Sequence, residues 1–203
     1  MTLIRRAKLK DIDDIVVIHT RSFSSFFLTI LGEKFLRLLY SELLNENGNV
    51  FFVHISDKNK ITGFVVGVTN QTGLYKRLAK KRWFAFAIAS SYSAIQNPRI
   101  IPRLFRALTY SKNVSKFACP TLLMSLAVSP DEKGKGIGRS LVKEFILEMS
   151  NLGISHVCLT TDRDNNQSAN LFYQKLGFRI AREFLTPEGR WMNEFVIDTR
   201  RLS

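Results

Sequence analysis

The sequence predicts a mixed α/β fold built as one domain over its 203 residues, and three observations carry that prediction. Strand-like apolar runs and helix-spaced apolar stripes follow one another as β-α-α-β-β-(insert)-β-α-β-α-β-β. Two pairs of strand-like runs flank short polar turns, DKNK at 57–60 and TPEG at 186–189, and so read as hairpins. The length favours a single domain, and 45% hydrophobic residues with sixteen Phe supply ample core. No repeat or low-complexity linker divides residues 1–203, and a segment at 70–117 that breaks the rhythm reads as an insert in that one domain.

Taken in order, TLIRR (2–6) is a short first strand. From Asp11 the apolar positions Ile12, Ile15 and Val16 have helical spacing, and Asp11, Asp13 and Asp14 favour a helix N-terminus. LGEKFLRLLYSELLN is a second helix, with Phe35, Leu38, Leu39 and Leu43 on one face and Gly48 beyond its end. NVFFVHIS (49–56) and ITGFVVGVT (61–69) form the first hairpin. After the insert, TLLMSLAVS (121–129) is a strand, and GRSLVKEFILEMSNLG is a helix whose Leu141, Val142, Phe145, Ile146 and Met149 make an apolar stripe, with Gly153 as its C′ residue. HVCLTT (156–161) is a strand, NQSANLFYQKLGF (166–178) a helix, and FRIAREF with RWMNEFVID closes the chain as a hairpin.

Between the run TLLMSLAVS and the next helix lies EKGKGIGRS, with glycines at 134, 136 and 138. A Walker P-loop needs Lys-Ser or Lys-Thr after its last glycine, and none is present. A dinucleotide fingerprint needs G-x-G-x-x-G, whose third position here is Arg139; neither the spacing nor the position after a hairpin fits. What remains is a strand, a glycine turn and a helix N-terminus, where successive backbone N–H groups and the helix's partial positive charge form an anion cradle. Lys133, Lys135 and Arg139 add charge suited to a pyrophosphate. A plain strand-to-helix turn is the blander reading of the segment alone.

LAVSPDEKGKGIGRSLV resembles the acetyl-CoA motif of the GNAT superfamily of N-acetyltransferases, [Q/R]-x-x-G-x-[G/A]. Lys133 stands where Gln or Arg is usual, and Gly136 and Gly138 match. NQSANLFYQKLGF is similar to that family's N-x-x-A-x-x-x-Y-x-x-x-GF helix at Asn166, Ala169, Tyr173, Gly177 and Phe178. The resemblance implies a central mixed, mostly antiparallel sheet flanked by helices, here with a helical basic insert between the third and fourth strands. It implies acetyl-CoA as co-substrate, lying where the fourth and fifth strands splay apart. Backbone groups of Leu126, Ala127 and Val128 would contact the thioester and pantetheine. The amides of Lys133, Gly134, Lys135, Gly136, Ile137, Gly138, Arg139 and Ser140 would hold the pyrophosphate, and Asn166 and Lys175 would touch the cofactor's arm and ribose phosphate. An acceptor amine would attack directly, without an acyl-enzyme, and Tyr173 would protonate the departing thiolate. Core packing beside Phe172 is the competing reading of Tyr173. No acid occupies TLLMSLAVS, where several relatives carry a glutamate; Glu33, Asp162, His156 or a water chain are the alternatives for a general base.

Charge is unevenly placed. Of the formal +13, nearly all arises between Asp57 and Asp131, where twelve Lys and Arg meet no acidic residue. The insert at 73–113 contains YKRLAKKRW, and further along Ile101, Leu104, Phe105 and Leu108 have helical spacing with Arg99, Arg103 and Arg106 on another face. A helical hairpin with solvated cations, an anionic membrane surface, and a site for a phosphorylated or lipid-linked acceptor such as a nucleotide-sugar all fit; nucleic acid fits least, because the aromatics form no RNA-binding motif. Phe23, Phe26 and Phe27, between the first two helices, resemble the place where GNAT-like enzymes of surface polysaccharide synthesis build part of an acceptor site. The charged N-terminus lacks a signal peptide's apolar core, and no apolar run approaches the ~20 residues of a membrane span. The expected location is cytoplasmic, with the inner membrane face as a peripheral alternative. Cys119 and Cys158 read as reduced thiols, and with three scattered histidines they make no zinc spacing, so no metal is expected.

Overall fold

A computed structural model describes residues 3–24, 26–96 and 119–201. Seven strands form one sheet: β1 (Leu3–Arg6), β2 (Val50–Ile55), β3 (Ile61–Val68), β4 (Leu122–Val128), β5 (His156–Asp162), β6 (Arg179–Leu185) and β7 (Trp191–Asp198). Their order is β1-β2-β3-β4-β5-β7-β6. Every neighbouring pair is antiparallel except β4 and β5. The two hairpins expected from the DKNK and TPEG turns are present as β2–β3 and β6–β7.

The helices are α1 (Ile12–Ser22), α2 (Phe27–Ile30), α3 (Glu33–Asn45), α4 (Leu74–Gln96), α5 (Ile137–Asn151) and α6 (Gln167–Lys175). Asp11 opens α1 and ties it to the first strand: its carboxylate accepts two bonds from Arg5, at 2.7 and 2.9 Å, and one from the Lys8 amide. That guanidinium holds the Asp11 carboxyl below its ordinary range despite burial. Gly153 and Gly177 end α5 and α6 with φ of +73° and +90°. In each case the following N–H reaches back to the carbonyl five residues earlier, Ile154 to Met149 and Phe178 to Tyr173. The one-turn α2 was not foreseen; four residues are too few to show a helical period.

Two cores lie on opposite faces of the sheet, as strand alternation requires. Phe51, Val53, Phe64 and Val66 point to the side of α1, α3 and α4, where Ile15, Leu36, Leu39 and Leu43 meet them. Val50, Phe52 and Val65 point to the other side, against Leu141, Phe145, Ile146 and Met149 of α5. A side chain at Gly67 would begin 2.0 Å from the Phe145 ring, so glycine there lets α5 lie directly on β3. The part of the insert that the structure describes, α4, is a helix packed on α3 through Phe35 and Phe86. The helical stripe read at 101–108, with Arg99, Arg103 and Arg106, falls outside the described residues.

Candidate active site

The one parallel pair of the sheet is joined only at its start. Leu122 faces Cys158, and the Cys158 amide donates to the Thr121 carbonyl at 3.0 Å. Beyond that point β4 stays with β3, pairing Leu126 with Val65 and Val128 with Gly63. Strand β5 stays with β7, pairing Thr160 with Glu194 and Asp162 with Met192. The two strands therefore diverge, and the backbone of Leu126, Ala127 and Val128 is left without a β5 partner across a widening gap.

The glycine turn closes one side of this gap. After Val128, Ser129 bonds back to Thr62, Pro130–Glu132 make a single 3-10 turn, and Lys133 is extended. Gly134 and Gly136 then take φ of +82° and +77°, and Gly136 is the N-cap of α5. A side chain at either would meet nothing within 4 Å, so backbone conformation, not crowding, calls for glycine there. The first intrahelical bond of α5 runs from Ser140 to Gly136, leaving the amides of Ile137, Gly138 and Arg139 without carbonyl partners in the helix. Three N–H groups and the positive end of a fifteen-residue helix thus face one open spot.

A groove of about 460 Å³ lies here, between that turn and α6. It brings together most of the expected residues: Leu126, Ala127, Val128, Lys133, Gly134, Gly136, Ile137, Gly138, Arg139 and Lys175 all line it. Lys133, Arg139 and Lys175 are exposed and form no ion pair among the described residues. Four expected residues stand apart from the lining. Lys135 pairs with Glu132 at 2.7 Å. The exposed Ser140 turns its hydroxyl to the Gly136 carbonyl. Asn166 is the N-cap of α6, half-buried and without a side-chain capping bond. Tyr173 lies behind the wall, its ring against Phe172, Phe178 and Phe195 at centroid distances of 5.1, 5.5 and 6.1 Å. Burial pushes its phenol well above the ordinary value. Phe172 of α6 and Leu176, the residue that caps its end, form the far wall. Asn170 fixes that wall, donating to the Asp162 and Arg163 carbonyls at the end of β5.

Of the bases considered from sequence, Glu33 pairs with Arg37 at 3.2 Å and Asp162 is held by Arg190 at 2.6 Å. His156 begins β5, at the end where the strands are joined, and contacts Ser155 at 2.9 Å. Sequence reasoning missed a polar chain on the other side of β4. His19 Nδ1 lies 2.7 Å from Tyr40 Oη, which donates to Ser125 Oγ at 3.3 Å. His19 is 3% exposed, its Nε2 has no hydrogen-bond partner, and burial pushes its pKa down to about 4, so the ring is neutral at pH 7. Phe23 packs edge-on against His19 and Phe26 against Phe23. The end of α1 is tied to the same strand, Ser22 Oγ donating to the Val128 carbonyl at 3.2 Å. The available signal was Ser125, a polar interruption of an apolar run.

Residues 105–180 match the family model for the acetyltransferase (GNAT) domain. Over those residues the chain is similar to a GNAT acetyltransferase domain. A curated relative, the L-amino acid N-acyltransferase MnaT of Escherichia coli (strain K12), is 34% identical over 76 residues, which is 36% of this chain. That match spans 44% of the relative's own length. Among solved structures, the ribosomal-protein-S18-alanine N-acetyltransferase of Escherichia coli aligns over 98% of this chain and 94% of its own, with a TM-score of 0.60 and 16% identity. The Drosophila melanogaster polyamine N-acetyltransferase aligns over 98% and 100%, with a TM-score of 0.60 and 18% identity. At such identities the likeness is one of fold.

Proposed function

We propose that the protein transfers an acetyl group from acetyl-CoA to a primary amine by direct attack. The observation that carries this reading is the gap between β4 and β5 opening beside the free amides of α5. The residues present fit the co-substrate. The open space over Gly134 and Gly136, with Lys133 and Arg139 flanking, suits a pyrophosphate, and the unpaired edge of β4 suits an extended amide-bearing arm. Acetyl-CoA supplies an acyl thioester, whose carbonyl is the point of attack.

The amides from Lys133 to Arg139 hold phosphate, that of Ser140 being taken by the Gly136 carbonyl instead, and backbone groups of Leu126 to Val128 align the arm and polarise the carbonyl. Asn166 and Lys175 take the outer parts of the co-substrate. Much of the rate then comes from fixing two reactants in one geometry. Tyr173 is the proton donor to the leaving thiolate; a phenol pushed up by burial stays protonated through neutral pH. Since it sits behind Phe172, its role depends on the hydroxyl reaching the groove once the co-substrate is in place.

For the acceptor, the reading is a small amine, with an amino sugar on a nucleotide or lipid carrier favoured by the stretch of twelve cations without an acid. Calorimetry with acetyl-CoA, then thiol release across sugar, polyamine, amino-acid and peptide amines with mass detection, tests the whole. Tight binding with no thiol release on any amine would leave a CoA-binding module and overturn the catalytic reading. Turnover on peptide amines alone would overturn the carrier reading.

A further inference from the structure

Beyond Arg82, helix α4 is apolar on both sides. Glu42 of α3, 5% exposed, holds Lys81 and Arg82 at 3.0 and 3.1 Å. The Lys81 ammonium sits off the hydrogen-bonding direction of its oxygen, so that contact is ionic. At Arg82 the backbone leaves the helical region, with φ −142° and ψ 31°, and the helix resumes in a new direction. This clamp sets which side of the second half faces the protein. Phe86 and Ala89 turn inward onto the core of α1 and α3. Trp83, Phe84 and Ile88 turn outward and are 65%, 63% and 59% exposed. With Ala87 between them they fall within one half of the helix circumference. The Trp83 and Phe84 rings stack edge-on at 5.5 Å.

A helix apolar all round is normally covered on every side. Three large projecting side chains on a convex helix, rather than a hollow, suit a fluid surface into which they can sink. The chain around the patch is cationic: Lys80, three residues before Trp83, is exposed with no acidic partner among the described residues, and no acid occurs in the sequence from residue 58 to 130. A second copy seated face to face would bring two such acid-free, cationic stretches together, which like-charge repulsion opposes. We propose that the outer face of α4 seats the protein on an anionic lipid bilayer, with Trp83, Phe84 and Ile88 entering the interface and Lys80 meeting phosphate headgroups. None of the described helices is long and apolar enough to cross a membrane, so the contact is one of lying on the surface. No residue of the acetyl-CoA groove takes part, and the proposal stands independently of acetyl transfer.

The test uses the full chain and vesicles of phosphatidylcholine, alone or mixed with phosphatidylglycerol, with no acetyl-CoA present. Replacing Trp191 by Phe leaves Trp83 as the single tryptophan. Its emission is expected to shift to the blue and to be quenched by brominated lipid only on the anionic vesicles. Co-sedimentation is expected to weaken as salt rises, and the triple variant W83S/F84S/I88S to lower the partition coefficient about tenfold or more. Unchanged thermal unfolding of that variant shows that the fold is intact, as its exposed positions imply. The proposal is overturned by absence of binding at low salt, or by a triple variant that binds like the parent. It is overturned equally if Trp83 is already shielded in the lipid-free monomer, or becomes shielded only on dimerisation.

Discussion

Replacing Gly136 by Ala isolates one of the two left-handed backbone angles in the turn proposed to hold the pyrophosphate. The residue sits at φ +77° with open space around it, so the methyl group meets no atom and the cost is conformational. An L-residue in the left-handed region costs ~1–2 kcal/mol. The stiffer unfolded chain returns ~0.4–1 kcal/mol of that, which leaves a net loss near ~1 kcal/mol. For a domain of this size the midpoint of unfolding should then fall by ~2–4 °C. If the turn instead relaxes out of the left-handed region, the amides of Ile137, Gly138 and Arg139 swing away from a common point. Losing one hydrogen bond to a charged phosphate costs ~1.5–3 kcal/mol, or ~10–100-fold in acetyl-CoA Kd. Gly138→Ala is the control, since that residue is already helical and its methyl group would lie 3.5 Å from Phe172 and 3.6 Å from Val128, ordinary contact. It should bind within ~threefold of the parent and melt at the same temperature or slightly higher, because Ala is the better helix former by ~0.5–1 kcal/mol. Calorimetric titration and thermal scanning of both variants decide the matter. Wild-type affinity in Gly136→Ala alongside a large loss in Gly138→Ala would place the pyrophosphate elsewhere.

Tyr173→Phe should lower kcat by ~10²-fold or more and leave acetyl-CoA affinity unchanged, as expected for loss of a general acid; an undiminished kcat assigns Tyr173 to packing with Phe178 and Phe195. His19 ties stability to pH. Its pKa falls from 6.5 to about 4 on folding, so the unfolded chain binds the extra proton between those values and stability drops as pH falls through that window. The loss is on the order of 3 kcal/mol, and urea unfolding of His19→Gln between pH 7 and about pH 4 should show a flatter profile than the parent; equal slopes would mean that His19 does not titrate as its burial implies. Glu42→Gln removes the charge that holds Lys81 and Arg82, both more than half exposed, so stability should fall only by ~1 kcal/mol. Amide exchange over residues 83–91 should nonetheless accelerate, and unchanged exchange there would show that Phe86 alone docks the helix.

The parts legible in the sequence are those fixed within a few residues. Glycine at 134 and 136, a helix stripe from Leu141 to Met149, and glycine after each of α5 and α6 are local requirements of backbone angle and period, and the structure has them where the sequence puts them. The neutralisation of Lys135 was readable too, since Glu132 stands three residues before it. What could not be read depends on residues far apart in the chain. The divergence of β4 from β5 is decided by how each pairs on its other side, with β3 and with β7. The His19, Tyr40 and Ser125 chain joins α1, α3 and β4 across 106 positions of sequence, and none of the three carries a local signature of its partners. Tyr173 shows the limit of motif reading in another way: spacing places it on the right helix, but only packing shows that Phe172 and Leu176 hold the groove wall in front of it.

Strand β4 explains why one half of this chain looks so much more familiar than the other. It belongs to both cores: Leu123 packs with α5 and Ala127 with the layer of α1, α3 and α4. On the proposed reading, the α5 side serves one unvarying chemical group, a pyrophosphate and its arm, so the same glycine turn and the same capped helix would suffice whatever the amine. On the α1 side the strand presents Ser125 to a buried, neutral histidine and a tyrosine, bordered by Phe23 and Phe26. Nothing about a shared donor requires that arrangement. A buried imidazole with an unpartnered Nε2 costs stability, and the fold bears that cost in the layer that would face the acceptor. The same layer carries the exposed ridge of α4, so both departures from a plain packed core fall on one face of the sheet. The proposed function therefore puts the donor at the glycines and the receiver in the opposite layer, where α1, the Phe23–Phe26 turn and β4 converge.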